Sequence, residues 1–125
     1  MFSSLFSKSE KVDIPWNQLT DANELIQIDE ISKEKPVLIF KHSTRCSISA
    51  MSLSRFERSF ESEAAFTPYF VDLIAYRDVS NKIAERYGVR HESPQTILIK
   101  DGKPVFHSSH MGISYDELNS EAKKL

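Results

Sequence analysis

The apolar positions follow two rhythms. Ala22, Leu25, Ile28 and Ile31 recur at every third place, which predicts a helix over about Asp21–Lys33. Thr20 reads as its N-cap, with Asp21 and Glu24 in a first turn where the helix dipole favours negative charge. Pro36 blocks its extension. Val37-Leu38-Ile39-Phe40 is then an unbroken apolar run, as expected of a strand buried on both faces inside a sheet. His42-Ser43-Thr44-Arg45 is a polar loop. From about Cys46 the spacing turns helical, with Leu53, Phe56 and Phe60 on one stripe, and this helix ends before Pro68.

Tyr69-Phe70-Val71 predicts a second strand. Tyr76, Val79, Ile83 and Tyr87 predict a helix with a core-facing stripe, closed by Gly88 in the left-handed position. Pro94 precedes a third strand, Thr96-Ile97-Leu98-Ile99. Asp101-Gly102 is a hairpin turn into a fourth strand, roughly Val105–Ser108, with Pro104 near its start suiting an edge. Ser114 and Glu117 form a capping box that opens a last helix to Leu125. Strands joined through a helix run parallel with a right-handed crossover, and the hairpin adds antiparallel ones. The expected fold class is α/β: a mixed central sheet of about four strands with helices on both faces.

Composition narrows the function. The chain has 125 residues, which predicts a single domain spanning 1–125, with 1–15 as an N-terminal extension. One cysteine cannot form an internal disulfide, which points to a reducing compartment and excludes metal sites needing two thiolates. A net charge of −2 gives no electrostatic case for nucleic acid or an anionic membrane. Three scattered glycines build no phosphate loop. Phe2, Leu5 and Phe6 are interrupted by serines, so they make no secretory signal and read as a tail resting on the domain. The expected location is the cytoplasm.

Chemistry concentrates at Cys46, between the first long strand and its helix. Ligands of open α/β sheets gather beyond the carboxyl ends of the strands. A helix start offers unpaired N–H groups and partial positive charge, both of which favour thiolate over thiol. Arg45 adds a full charge, and Ser47 and Ser49 are candidate hydroxyl donors to the sulfur. The polar neighbours Ser43, Thr44, Arg45, Ser47 and Ser49 argue against a buried structural cysteine. His42, His91, His107 and His110 invite a metal hypothesis, but His107 and His110, three apart on a strand, would point to opposite faces, so no metal site is expected. His42 and His91 can approach Cys46, and His91 is a candidate proton source for a leaving thiolate.

Phe40-Lys41-His42-Ser43-Thr44-Arg45-Cys46-Ser47-Ile48-Ser49, Tyr87-Gly88-Val89-Arg90-His91-Glu92-Ser93-Pro94-Gln95 and His107-Ser108-Ser109-His110 occur in that order. The element order resembles the thioredoxin fold, and the three blocks resemble the monothiol bacilliredoxins, small bacterial thioredoxin-like proteins associated with bacillithiol. The resemblance covers about Trp16 to the C-terminus. In place of the family's usual Thr-Cys-Pro-Ile-Ser, Arg45 precedes the cysteine and Ser47 replaces the proline. The resemblance implies that Cys46 is catalytic and that Thr44, Arg45, Ser47, Ser49 and His91 line the site or stabilise the thiolate. It further implies that Pro94 is a cis-proline facing the cysteine, and that Ser93 offers its backbone to the substrate.

Ser49 stands where a resolving thiol would be, so Cys46 can form only a mixed disulfide that an external thiol must release. The expected activity is monothiol thiol–disulfide exchange, transferring a low-molecular-weight thiol cap from client cysteines. By resemblance the cap is bacillithiol, a co-substrate with no cofactor bound. Two other classes stay open: a non-catalytic thioredoxin-like adaptor, and a redox sensor modified at Cys46.

Overall fold

The computed structural model describes residues 14–125; the expectations for Phe2, Leu5 and Phe6 and for most of the N-terminal extension lie outside them. The elements are β1 (Asn17–Gln18), α1 (Glu24–Ile31), β2 (Val37–His42), α2 (Ser47–Ser59), β3 (Thr67–Asp72), α3 (Arg77–Tyr87), β4 (Gln95–Lys100), β5 (Lys103–Ser109), a 3₁₀ turn (His110–Gly112) and α4 (Tyr115–Lys123). The sheet has five strands in the order β1-β3-β2-β4-β5. β2 pairs parallel with β3 through the α2 crossover and antiparallel with β4, and β4 pairs antiparallel with β5.

Alternation along β2 divides the core. Val37 and Ile39 face α1 and α3, packing with Leu25, Ile28, Val79, Ile83 and Tyr87. Leu38 and Phe40 face α2 and α4, packing with Phe56, Phe60, Phe66, Tyr115 and Leu118. Trp16 seals this second core, stacked on Phe56 at 5.7 Å and edge-on to Phe40 at 5.8 Å. Its indole N–H donates to Glu57 Oε2 at 3.1 Å.

The structure departs from the sequence reading in several places. The extra strand, β1, is two exposed polar residues recruited by β3. Thr20 is not a cap. α1 begins at Glu24, whose carboxylate folds back to accept the N–H groups of Thr20 and Asp21 at 3.0 Å each. β2 continues through Lys41, paired on both sides, and His42, paired with Asp72 of β3, and this pairing carries the two polar residues into the sheet. Tyr76 caps α3 from outside and is exposed, not core. β5 starts at Lys103, with a bulge that sets Ile99 opposite Pro104. His110 is not in the strand: it opens the 3₁₀ turn with φ at 56°.

Other local signals act as their chemistry requires. Gly88 closes α3 at φ 65°, and Asp101 and Gly102 turn at φ 54° and 73°. Ser114 Oγ accepts the Glu117 N–H at the start of α4.

Candidate functional site

The site grows from the end of β2. After His42 the chain turns back, and Cys46 N–H donates to Ser43 O at 3.3 Å. Cys46 is the N-cap residue of α2, with φ −118° and ψ 121°, and its carbonyl accepts the first helical bond from Ala50 N–H. The cysteine is half-buried, while Thr44, Arg45, Ser47 and Ile48 around it are exposed. The Cys46 side chain makes no capping bond to the helix N–H groups.

Ser49 is fully buried one turn into α2. Its hydroxyl accepts Ser43 N–H at 3.0 Å and lies 2.7 Å from His42 Nδ1. Ser49 is therefore tied to the strand end and is not the donor to sulfur that the sequence suggested. Ser47 lies on the exposed side of the helix. His42 packs against Phe70 at 5.6 Å. Burial pulls its pKa below the ordinary histidine range, against the opposing charges of Asp72 and Glu57. In the tautomer with its proton on Nε2, a neutral His42 accepts the Ser49 O–H at Nδ1, and the hydroxyl is then satisfied as both donor and acceptor. The sequence showed only a histidine near a cysteine; its position at the end of an apolar strand was the available sign of burial.

The second wall comes from β4. Lys41 is the register partner of Gln95, so Ser93 and Pro94, just before Gln95, flank the segment His42–Ser43. The Ser93–Pro94 peptide bond is cis. Pro94 O accepts the His110 N–H at 2.9 Å, and His110 O accepts the Ser52 hydroxyl at 2.9 Å. These bonds tie the proline to α2 through the 3₁₀ turn. His91 lies against α3, its Nδ1 3.4 Å from Ser80 Oγ. Burial first, then the charges of Lys41 and Arg77, hold its pKa below the ordinary range, opposed by Glu92.

Lys41 had no role in the sequence reading. Its side chain is fully buried, Nζ has no hydrogen-bond partner, and burial lowers its pKa to about 8. Among the described residues no cluster of three histidine, cysteine, aspartate or glutamate side chains is arranged to hold a metal ion. None of their helices is long and apolar enough to cross a membrane.

Comparison with known proteins agrees with this geometry. Residues 17–118 match the family described as monothiol bacilliredoxin BrxC. A solved structure described as a candidate oxidoreductase with a thioredoxin fold is 30% identical, with a TM-score of 0.69, covering 85% of this chain and 91% of that one. Thioredoxin from Malassezia sympodialis superposes with a TM-score of 0.68 at 17% identity, covering 90% of this chain and 91% of that one. Fasciola hepatica thioredoxin gives 0.64 at 19% identity, covering 86% and 96%. The last two show the fold alone.

Proposed function

This chain belongs to the monothiol bacilliredoxin family, and on that premise we propose that it removes or transfers a low-molecular-weight thiol cap, bacillithiol by family resemblance, from client cysteines. The observation that carries this reading is the lone, half-exposed Cys46 at the start of α2, with Ser49 one turn on in place of a second thiol. The Cys46 thiolate attacks the cap's sulfur in a capped client. The client S–S bond breaks, the new Cys46 mixed disulfide forms, and the client leaves as thiolate and takes a proton from solvent. A second low-molecular-weight thiol then releases Cys46.

Arg45, Thr44 and Ser47 border the exposed side of the sulfur. Ser93 and Pro94 offer a backbone edge to client or cap. Ile48 and Met51, 42% and 58% exposed on α2, give the client apolar contact. No bound cofactor is needed. The reducing conditions this cycle requires are those of the cytoplasm.

The deciding experiment is intact mass spectrometry after exposure to bacillithiol disulfide, with Cys46→Ser as control. One adduct on the wild type, released by excess thiol with turnover on a capped client, is the expected result. No adduct would leave an adaptor domain. An adduct without turnover would leave a sensor.

A further inference from the structure

Ile48, Met51, Arg55 and Arg58 stand three or four places apart and form one stripe along α2, leading away from Cys46. Ile48 is 42% exposed and Met51 58%. The 3₁₀ turn borders this stripe. Ser52 Oγ donates to His110 O at 2.9 Å, and Arg55 Nη2 donates to Met111 O at 3.1 Å and to Ile113 O at 2.9 Å. Met111, in that turn, is also exposed. Midway along the helix, Ala50, Met51, Ser54, Arg55 and Arg58 line an open cleft of about 320 Å³.

The charge on this stripe has one sign. The only carboxylate of α2 is Glu57, and it accepts the Trp16 indole N–H at 3.1 Å. Arg58 Nη1 donates to Ser54 Oγ at 2.8 Å, within its own helix. Among the described residues the ion pairs are Lys33–Glu30, Lys82–Glu85, Arg86–Asp29 and Lys124–Glu121, and none includes Arg45, Arg55 or Arg58. Glu61 and Glu63 beyond the end of α2, and Asp116 and Glu117 in the first turn of α4, are exposed and belong to none of those pairs. Methionine adapts to apolar partners of different shape, and contiguous exposed apolar surface marks a place of association. Positive charge around it selects a partner of opposite sign. A net charge of −2 does not draw the chain as a whole to a membrane or nucleic acid, so a short protein segment fits this local charge best.

We propose that the cleft seats an acidic segment of the client protein, with an apolar side chain on Met51 and carboxylates on Arg55 and Arg58. This rests on the thiol-exchange reading and names its class of client. About 7.5 Å of helix rise separates Met51 from position 46, and about 18 Å separates Arg58 from it. An extended chain covers about 3.3 Å per residue, so the apolar residue falls about two or three places from the client cysteine and the acids about four to six.

The test uses peptides capped on cysteine with mercaptoethanol: Cys-Ser-Leu-Ser-Glu-Glu, and the same with Gln-Gln or Lys-Lys in place of Glu-Glu. Each is also made in reverse order, and the faster orientation is scored. Cys46 thiolate attacks the mercaptoethanol sulfur, the peptide leaves as thiolate and takes a proton from solvent, and mercaptoethanol stays on Cys46. Peptide release is followed by chromatography, and each rate is divided by the rate with free dithiothreitol, which removes differences in intrinsic reactivity. The acidic peptide should react several-fold faster than the neutral one and the basic peptide slowest, with a spread that shrinks as salt is added. Arg58→Glu should reverse the order. Met51→Ser should erase the gain of leucine over serine at the third place. Equal rates for the three peptides, or an order that Arg58→Glu leaves unchanged, would overturn the proposal.

Titration with the acidic peptide carrying serine for cysteine decides the same point without sulfur chemistry. Saturable NMR shifts of the Met51 methyl and the Ser54 amide, lost in Arg58→Glu, support it. No shift at millimolar peptide overturns it, as does an equal or larger response of these signals to phosphatidylglycerol vesicles or to an oligonucleotide. If no capped peptide reacts at all, the exchange reading fails, and the titration still decides whether the cleft takes an acidic segment.

Discussion

Ser49 Oγ lies 2.7 Å from His42 Nδ1 and, with the Ser43 N–H, joins the first turn of α2 to the end of β2. The residue in the place of a resolving thiol is thus a latch on the loop that carries Cys46. Ser49→Ala leaves a buried N–H and a buried ring nitrogen unpaired, so the variant should lose about 1–3 kcal/mol of stability. Urea denaturation measures it, and an unchanged midpoint would count against the latch.

Ser49→Cys should change the reaction's outcome. The new thiol sits one turn from Cys46 and can attack a mixed disulfide there from within. Under a low-molecular-weight disulfide the wild type should keep one adduct. The variant should instead lose two hydrogens and hold none, because a tethered thiol outcompetes a millimolar pool. Intact mass distinguishes the two, and a stable adduct on the variant would show that position 49 does not reach Cys46.

Acid should weaken the fold through His42. Its folded pKa is depressed by burial, so below the unfolded value of about 6.5 the unfolded chain binds more protons than the folded one. Stability is present above that pH and is lost as pH falls toward the folded pKa. His91 shifts in the same direction and adds to the loss. The urea midpoint should drop between pH 7.5 and 5.5, and His42→Gln should reduce the drop.

Lys41 acts at the other end of the scale. With its pKa lowered to about 8, the folded chain holds fewer protons than the unfolded one above that pH, so its contribution rises with pH toward the unfolded value. Lys41→Met removes the penalty of a buried, unpartnered ammonium and should stabilise the protein by about 1–4 kcal/mol at pH 7. The gain should be about 1 kcal/mol smaller at pH 9. Urea midpoints at the two pH values check this, and a variant less stable than wild type at pH 7 would refute it.

The long strands and α2 to α4 were legible because apolar runs, Gly88, Asp101-Gly102 and Ser114 each carry their own local physics. Elements held by neighbours were not. β1 has no apolar residue and exists only because β3 offers it a free edge. Lys41 and His42 look like the end of a strand, yet pairing to β3 continues through both and pairing to β4 through Lys41. Cys46 could be placed at a helix start from order alone. The direction of the Ser49 hydroxyl could not, since its partners come from the preceding strand and loop.

β5 forms the outer border of the sheet beside β4. Lys103, Pro104 and the bulge at Val105 fall in its first half. A proline lacks one donor, a bulge breaks the regular spacing of the others, and a lysine carries charge into any approaching backbone. A foreign strand therefore finds no regular ladder to extend there. This border is protected against fibril-like stacking of one copy on the next, even when the protein is crowded.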